Sequence, residues 1–353
     1  MVVRERCEAG NVTDYIDRLI GALDHEDILV AAHAARLLGQ VGRREAVAPL
    51  LRYVTESQFY TKVAGLAALA RIGDPSACDS LAALVDQPNV TDDWFWYACR
   101  SVRGAAAVAL LALKDPRGGA YLNELADRDD DVVFVWWGVA ILRLPNHLPE
   151  TAALKGRITV EALRRRGDRG VRCSDAATLA MKATVAEMIG DEEACRLLCE
   201  LAGHSSRYVR GQAAVSLLLT SPTDDHVALV RRMAAEDSTE FGRMKAALAL
   251  ARTGCKEMLA PITRAAEAAD DPFDRAAAVE ALGLLGHKDD LPTVLAQADH
   301  DDAYVRLCAV EAADRIAPTA RNVTALARRL ADDDPDPRVQ LQAAKLLAAR
   351  DKP

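Results

Sequence analysis

Val102-Arg103-Gly104-Ala105-Ala106-Ala107-Val108-Ala109-Leu110 and Val209-Arg210-Gly211-Gln212-Ala213-Ala214-Val215-Ser216-Leu217 align without a gap. They differ only at Ala105/Gln212 and Ala109/Ser216. The same frame recurs from Gly242, Asp274, Val305 and Val339, and more loosely from Val30, Thr61, Phe134 and Thr178. Most successive starts are 31 to 34 residues apart, with two wider gaps of 41 and 44. Four residues into the frame stands Ala or Gly in nine of ten copies, the exception being Lys182, and eight residues in stands Leu in eight of ten. Offsets of 0, 4 and 8 share one face of an α-helix. A small residue at the middle offset lets a neighbouring helix come close, and Leu fills the space beyond it.

The frame carries its own punctuation. Asp27, Ser57, Asp130, Ser206, Asp271 and Asp301 precede it as candidate N-caps, where a short side-chain oxygen can accept an orphan backbone N–H. Gly42, Gly73, Gly190, Gly254 and Gly286 close it, as the left-handed position after a helix requires. A shorter apolar segment comes before each frame, as in Ala46 to Val54, Leu81 to Val85 and Val227 to Met233. Each unit therefore reads as helix A, a turn and helix B. Such a unit cannot bury its faces alone, and stacking gives one continuous core. The expected fold is an all-α solenoid of about ten repeats over residues 12–350. It has insertions near 87–101 and 146–172, and tails at 1–11 and 351–353.

Composition agrees with helices throughout. Half of the 353 residues are hydrophobic, 67 are Ala and only 5% are aromatic. That is too apolar for a disordered chain, and no apolar run approaches a membrane span. The frame x-V-R-x-x-A-A-x-x-L behind an acidic cap, closed by Gly-Asp or Asp-Pro, resembles the HEAT repeat, with the short period of the phycobilisome-lyase-like branch. The resemblance covers essentially the whole chain. It implies a right-handed superhelix whose concave face is lined by the B helices, and it leaves function open because this repeat serves many. In such arrays the Arg after the frame start resembles a ladder that pairs with acids of adjacent turns. Here that set is Arg103, Arg210, Arg243, Arg275 and Arg306, with Lys62 in the same place, and Asp271, Asp301 and Asp302 are candidate partners.

The net charge of −8 argues against nucleic acid as a partner, because phosphate binding calls for a basic surface. Eight dispersed cysteines without a CxxC pair suit a reducing, cytoplasmic setting and small apolar roles. The closest pair, Cys195 and Cys199, completes no zinc pattern. No metal and no cofactor is expected.

Departures from a repeat are where function shows. The first insertion reads Asp92-Asp93-Trp94-Phe95-Trp96-Tyr97, and the fourth repeat carries Trp136-Trp137. All four Trp lie in this region, together with half of the aromatic residues. Two readings stand: a groove that holds an apolar side chain, ring or base, and a larger local core. The second insertion contains Arg164, Arg165, Arg166 and Arg169 in a locally basic stretch, either a docking patch for an acidic group or a solvated helix end.

No Gly-rich phosphate loop and no HExxH is present. The His-Glu dyads of the similarly folded deoxyhypusine hydroxylases are reduced here to His25-Glu26. The expected function is a non-enzymatic scaffold that binds a protein or peptide on the B-helix face. Trp94, Trp96, Tyr97, Trp136 and Trp137 would anchor it, with Asp92, Asp93, Arg103 and Arg143 supplying charge. The alternative is an enzyme or enzyme-maturation subunit, similar to bilin lyases or alkylpurine DNA glycosylases, that takes a small aromatic ligand or a base at the same cluster.

Overall fold

A computed structural model describes residues 12–56, 59–87, 95–127, 138–144, 148–165 and 176–350. All regular structure among them is helical. The chain order begins α1 (Val12–Gly21), α2 (Ile28–Val41), α3 (Val47–Glu56), α4 (Phe59–Ile72), α5 (Cys78–Val85), α6 (Phe95–Ala112) and α7 (Arg117–Asp127). It continues through α8 (Gly138–Arg143), α9 (Pro149–Arg157), α10 (Val160–Arg165), α11 (Ala176–Ile189), α12 (Glu192–Ala202), α13 (Arg207–Thr220) and α14 (Asp224–Glu236). The last are α15 (Glu240–Arg252), α16 (Leu259–Ala268), α17 (Pro272–Leu285), α18 (Leu291–Ala296), α19 (Ala303–Ile316), α20 (Arg321–Asp333) and α21 (Pro337–Arg350). No described helix is long and apolar enough to cross a membrane.

The chain divides into two compact units, one within Met1–Asp74 and Pro318–Pro353, the other within Pro75–Ala317. In the second unit the B helices α11, α13, α15, α17 and α19 stack in order, and α13, α15, α17 and α19 each lie on their own A helix, α12, α14, α16 and α18. This is the expected α-solenoid packing. Val209, Ala213 and Leu217 are fully buried, as are Ala246, Leu250, Ala278 and Leu282, so offsets 0, 4 and 8 build the core. Each such Leu contributes about 1.5–3 kcal/mol of burial.

The small offset faces helix A of the same repeat. A Cβ on Gly65 would sit 2.6 Å from Cγ2 of Val54, a residue of α3. Close approach between successive B helices falls one residue beyond the Leu, at Gly39 and Gly283. A Cβ there would meet the backbone Cα of Ala68 and Ala312 at 2.6 Å.

Caps follow the sequence with one shift. Asp27 accepts from the Leu29 N–H at 2.8 Å and Asp271 from the Phe273 N–H at 2.7 Å. In the ninth repeat the cap is Asp302, not Asp301, and it accepts from the Tyr304 N–H at 2.8 Å. Ser206 occupies its cap position without a side-chain bond, and Ser57 and Asp130 lie outside the described residues. The five closing glycines all have φ between 71° and 97°, a region costly for any residue with a Cβ.

Both insertions carry helix. The end of the first, from Phe95, opens the 18-residue α6. The second holds α9 and α10, with Leu154, Ile158, Val160 and Leu163 buried. Its middle is a packed segment rather than a free loop.

The first unit joins the two ends of the chain. Helix α21 packs on α1 and α2, while α2 packs on α4, so the tenth repeat lies beside the first. Arg18 of α1 donates to the Ala331 carbonyl at 3.3 Å and meets Asp332 at 3.0 Å, the end of α20. His33 of α2 lies at this seam, its Nδ1 accepting from Arg36 Nη2 at 3.2 Å. Burial, then the charges of Arg36 and Arg338, push its pKa down to about 4 from 6.5, against a smaller upward pull from Asp336. A histidine lowered on folding binds fewer protons folded than unfolded, so stability falls as pH drops from about 6.5 towards 4. His33→Gln removes that term. Urea unfolding at pH 7 and pH 4.5 should therefore show a smaller acid loss in the variant, by about 1–3 kcal/mol. Equal losses would show that His33 does not titrate with folding.

Candidate partner-binding face

Most of the aromatic cluster expected to form the contact lies outside the described residues: Asp92, Asp93, Trp94, Trp136 and Trp137. Trp96 and Tyr97 belong to the first turn of α6, and their side chains are outside the description. Arg143 ends α8 and is exposed. Arg103 does structural work: Nε donates to the Val85 carbonyl of its own repeat at 2.7 Å, and the guanidinium lies 4.5 Å from the ring centre of Tyr121 in α7 of the next. Among the basic residues, Arg164 makes a two-pronged bond to Glu200, 2.8 Å on each arm, and approaches Glu193 at 3.4 Å. The Arg164 bonds hold the Glu200 carboxyl below its ordinary range. Arg165 ends α10, its side chain lying outside the description, as do Arg166 and Arg169 altogether.

The Arg ladder uses different partners from those expected. Arg210 donates to the carbonyls of His204 and Ser205, Arg243 to Asp237, Arg275 to Ala269, and Arg306 to His300 and Asp301, at 2.7–2.9 Å. Gln340 makes the same bond to Asp334 at 2.6 Å, and Lys62 reaches Thr55 at 3.2 Å. Each of these groups closes the A–B turn of its own repeat, where helix A leaves carbonyls without helical donors and a partial negative charge. Asp271 and Asp302 are engaged instead as caps. Arg210 also reaches the next repeat, donating to the Asp237 carboxylate at 2.7 and 2.8 Å.

The same turn gives several histidines a fixed place. Nδ1 of His25, His204 and His300 each accepts, at 3.0 Å, the backbone N–H two residues on. The side chains of Asp237 and Asp334 do so in their repeats, at 2.9 Å. Their scatter in the sequence is a repeated turn device.

A surface feature emerges at the start of the B helices. Tyr208, Phe241, Phe273 and Tyr304 each stand directly before a frame start, in four consecutive repeats. Tyr208, Phe273 and Tyr304 are 46%, 60% and 44% exposed, and Phe241 is half-buried. They form two ring pairs. Tyr208 and Phe241 meet edge to face with centroids 5.0 Å apart, and Phe273 and Tyr304 are tilted at 5.7 Å. Arg207 lies over the first pair, 5.0 Å from the Tyr208 ring centre and 5.6 Å from that of Phe241, and it reaches Asp274 at 3.7 Å. Farther along the B helices, exposed Leu219 and Leu284 alternate with exposed Arg252 and Arg315. Lys245 and Glu280 face each other across two repeats at 3.6 Å. The sequence held the signal for this row: of the eight aromatics outside the Trp region, five stand at this offset, these four and Tyr60.

A groove of about 880 Å³ lies on the A-helix side, between α14 and α16, with Met244, Ala247, Met258 and Pro261 in its lining. Arg231, Arg264, Asp270 and Asp271 line it as well, and this mixture of charge selects no single ligand class.

Solved structures that match this chain include the phycocyanin lyase complex of CpcE and CpcF from Nostoc, at 18% identity and TM-score 0.33, covering 90% of this chain and 99% of that one. Human deoxyhypusine hydroxylase in complex with glycerol matches at 17% identity and TM-score 0.32, covering 86% and 96%. An engineered protein matches at 15% identity and TM-score 0.34, covering 96% and 100%. No curated protein sequence matches significantly. The family model for HEAT repeats matches residues 16–93, 196–283 and 259–348. With that match spanning most of a chain whose described residues fold as stacked two-helix repeats, the protein belongs to the HEAT-repeat family.

Proposed function

We propose that this chain is a non-enzymatic scaffold that captures a protein or peptide on the B-helix face of its second unit, with the aromatic row as the anchor. The observation that carries the reading is positional. In a chain with 5% aromatic residues, four rings occupy one offset in four consecutive repeats, and three of them are more than 40% exposed. The core does not need them there. Large apolar side chains aligned on a surface are what partner recognition uses, and helical repeat arrays offer such surfaces along their length.

Photo-crosslinking in the full chain tests this. A benzoylphenylalanine at position 273 should capture a partner from cells that express the protein. The same group at the exposed Glu267 of α16, on the A-helix side, should not. Tyr208→Ala combined with Phe273→Ala should lower recovery about thirtyfold or more, the loss of a hot-spot aromatic. Equal capture at 267 and 273, or full recovery with a folded double variant, would remove the row from the interface.

A further inference from the structure

The two ring pairs of the row differ in one respect. The first carries its own cation: Arg207 precedes Tyr208, lies over both rings and ends near a carboxylate, Asp274. In the second pair the corresponding residues are Pro272 and Ala303. Among the described residues no cation stands over Phe273 or Tyr304. Carboxylates flank this pair too, Glu280 of α17 and Glu311 of α19. Burial, then Cys308 and Glu280 with a smaller push from Glu311, raise the Tyr304 phenol to about 12. Glu280 faces Lys245 and Glu311 faces Arg315, both at 3.6 Å.

We propose that Phe273, Tyr304 and Glu280 form a seat for an arginine side chain of the bound partner, filled from outside as Arg207 fills the first pair from within. This rests on the scaffold reading and names the chemistry of its ligand. Ring faces attract a cation, and a planar guanidinium can stack on a ring while bonding a carboxylate, which a compact ammonium does less well. Within the chain, Arg207 spans the Tyr208 and Phe241 rings at 5.0 and 5.6 Å, and Lys245 lies 5.6 Å from the Phe241 ring centre.

The probe is an acetylated, amidated Gly-Gly-Arg-Gly-Gly peptide, with citrulline and lysine versions as controls. The full chain is labelled with 3-fluorotyrosine and followed by fluorine NMR, with Tyr304→Phe and Tyr208→Phe assigning the two signals. The arginine peptide should move the Tyr304 signal saturably. The neutral citrulline peptide should leave it in place, and lysine should bind about two- to fivefold more weakly. Phe273→Leu and Glu280→Gln should each weaken the response about two- to fivefold. In Arg207→Ala the vacated first pair should make the Tyr208 signal respond as well. No saturable shift at Tyr304, an equal shift with citrulline, or an equal response of Tyr208 in the unaltered chain would overturn the seat. If crosslinking at position 273 still captures a partner while citrulline and arginine behave alike, the scaffold stands and the arginine seat falls.

Discussion

Arg210→Ala should cost the second unit about 3–5 kcal/mol at neutral pH, visible as a large drop in urea midpoint and Tm. This guanidinium makes four bonds: two to Asp237 and two to the carbonyls of His204 and Ser205. The ion pair is secluded, the side chains being 13% and 3% exposed, so truncation leaves a nearly buried carboxylate without its cation. The carbonyls at the end of α12 lose their donor as well. Acid separates these contributions. The Arg210 bonds hold Asp237 at about 2, below its ordinary 3.8. A carboxyl lowered on folding stabilises above its unfolded pKa, and that contribution, about 2–3 kcal/mol, is lost as pH falls from about 4 through 2. In Arg210→Ala the stranded carboxyl gains from protonation. The gap between the two proteins should therefore shrink by pH 3, and a gap independent of pH would show that Asp237 is not the cause. Arg210→Lys should recover only part of the loss, because an ammonium cannot make the two-pronged bond.

This site also shows what the sequence could tell and what it could not. The frame, the closing glycines and the caps Asp27 and Asp271 were legible, because each is a side-chain requirement repeated at a fixed offset. The acceptors of the Arg ladder were not, because a backbone carbonyl has no residue identity to read. Gly242 starts a frame where half of the copies have Val. In the structure its missing side chain makes room for Asp237, whose carboxyl carbon would lie 2.3 Å from a Cβ there. Periodicity along the chain ordered the repeats but gave no sign that α21 lies on α1 and α2, since a period says nothing about how the ends meet. The aromatic row is overshadowed in the sequence by the density of rings in the Trp region, which holds half of the aromatics. What marks Tyr208, Phe241, Phe273 and Tyr304 is offset.

Gly283→Ala sets two effects of opposite sign against each other. Helix propensity favours Ala over Gly by about 0.8–1.0 kcal/mol in a helix interior. The new Cβ, however, would lie 2.6 Å from both Cα and Cβ of Ala312. A flexible side chain could turn away, but a Cα moves only with its helix, so α17 and α19 must separate along a tightly packed seam. Overpacking of that kind costs about 1–3 kcal/mol, and sterics should win, giving a net loss in urea unfolding. The control is Gly156→Ala in α9, where nothing lies within 4 Å of the added Cβ and the same exchange should gain up to about 1 kcal/mol. Ala312→Gly should rescue Gly283→Ala only in part, because the Ala312 Cα remains. Since α17 and α19 also carry Phe273 and Tyr304, Gly283→Ala should weaken the Tyr304 response to the arginine peptide while Gly156→Ala leaves it intact. A stabilised Gly283→Ala protein would mean that the two helices are free to part at this seam, and that the glycine is not what brings them together.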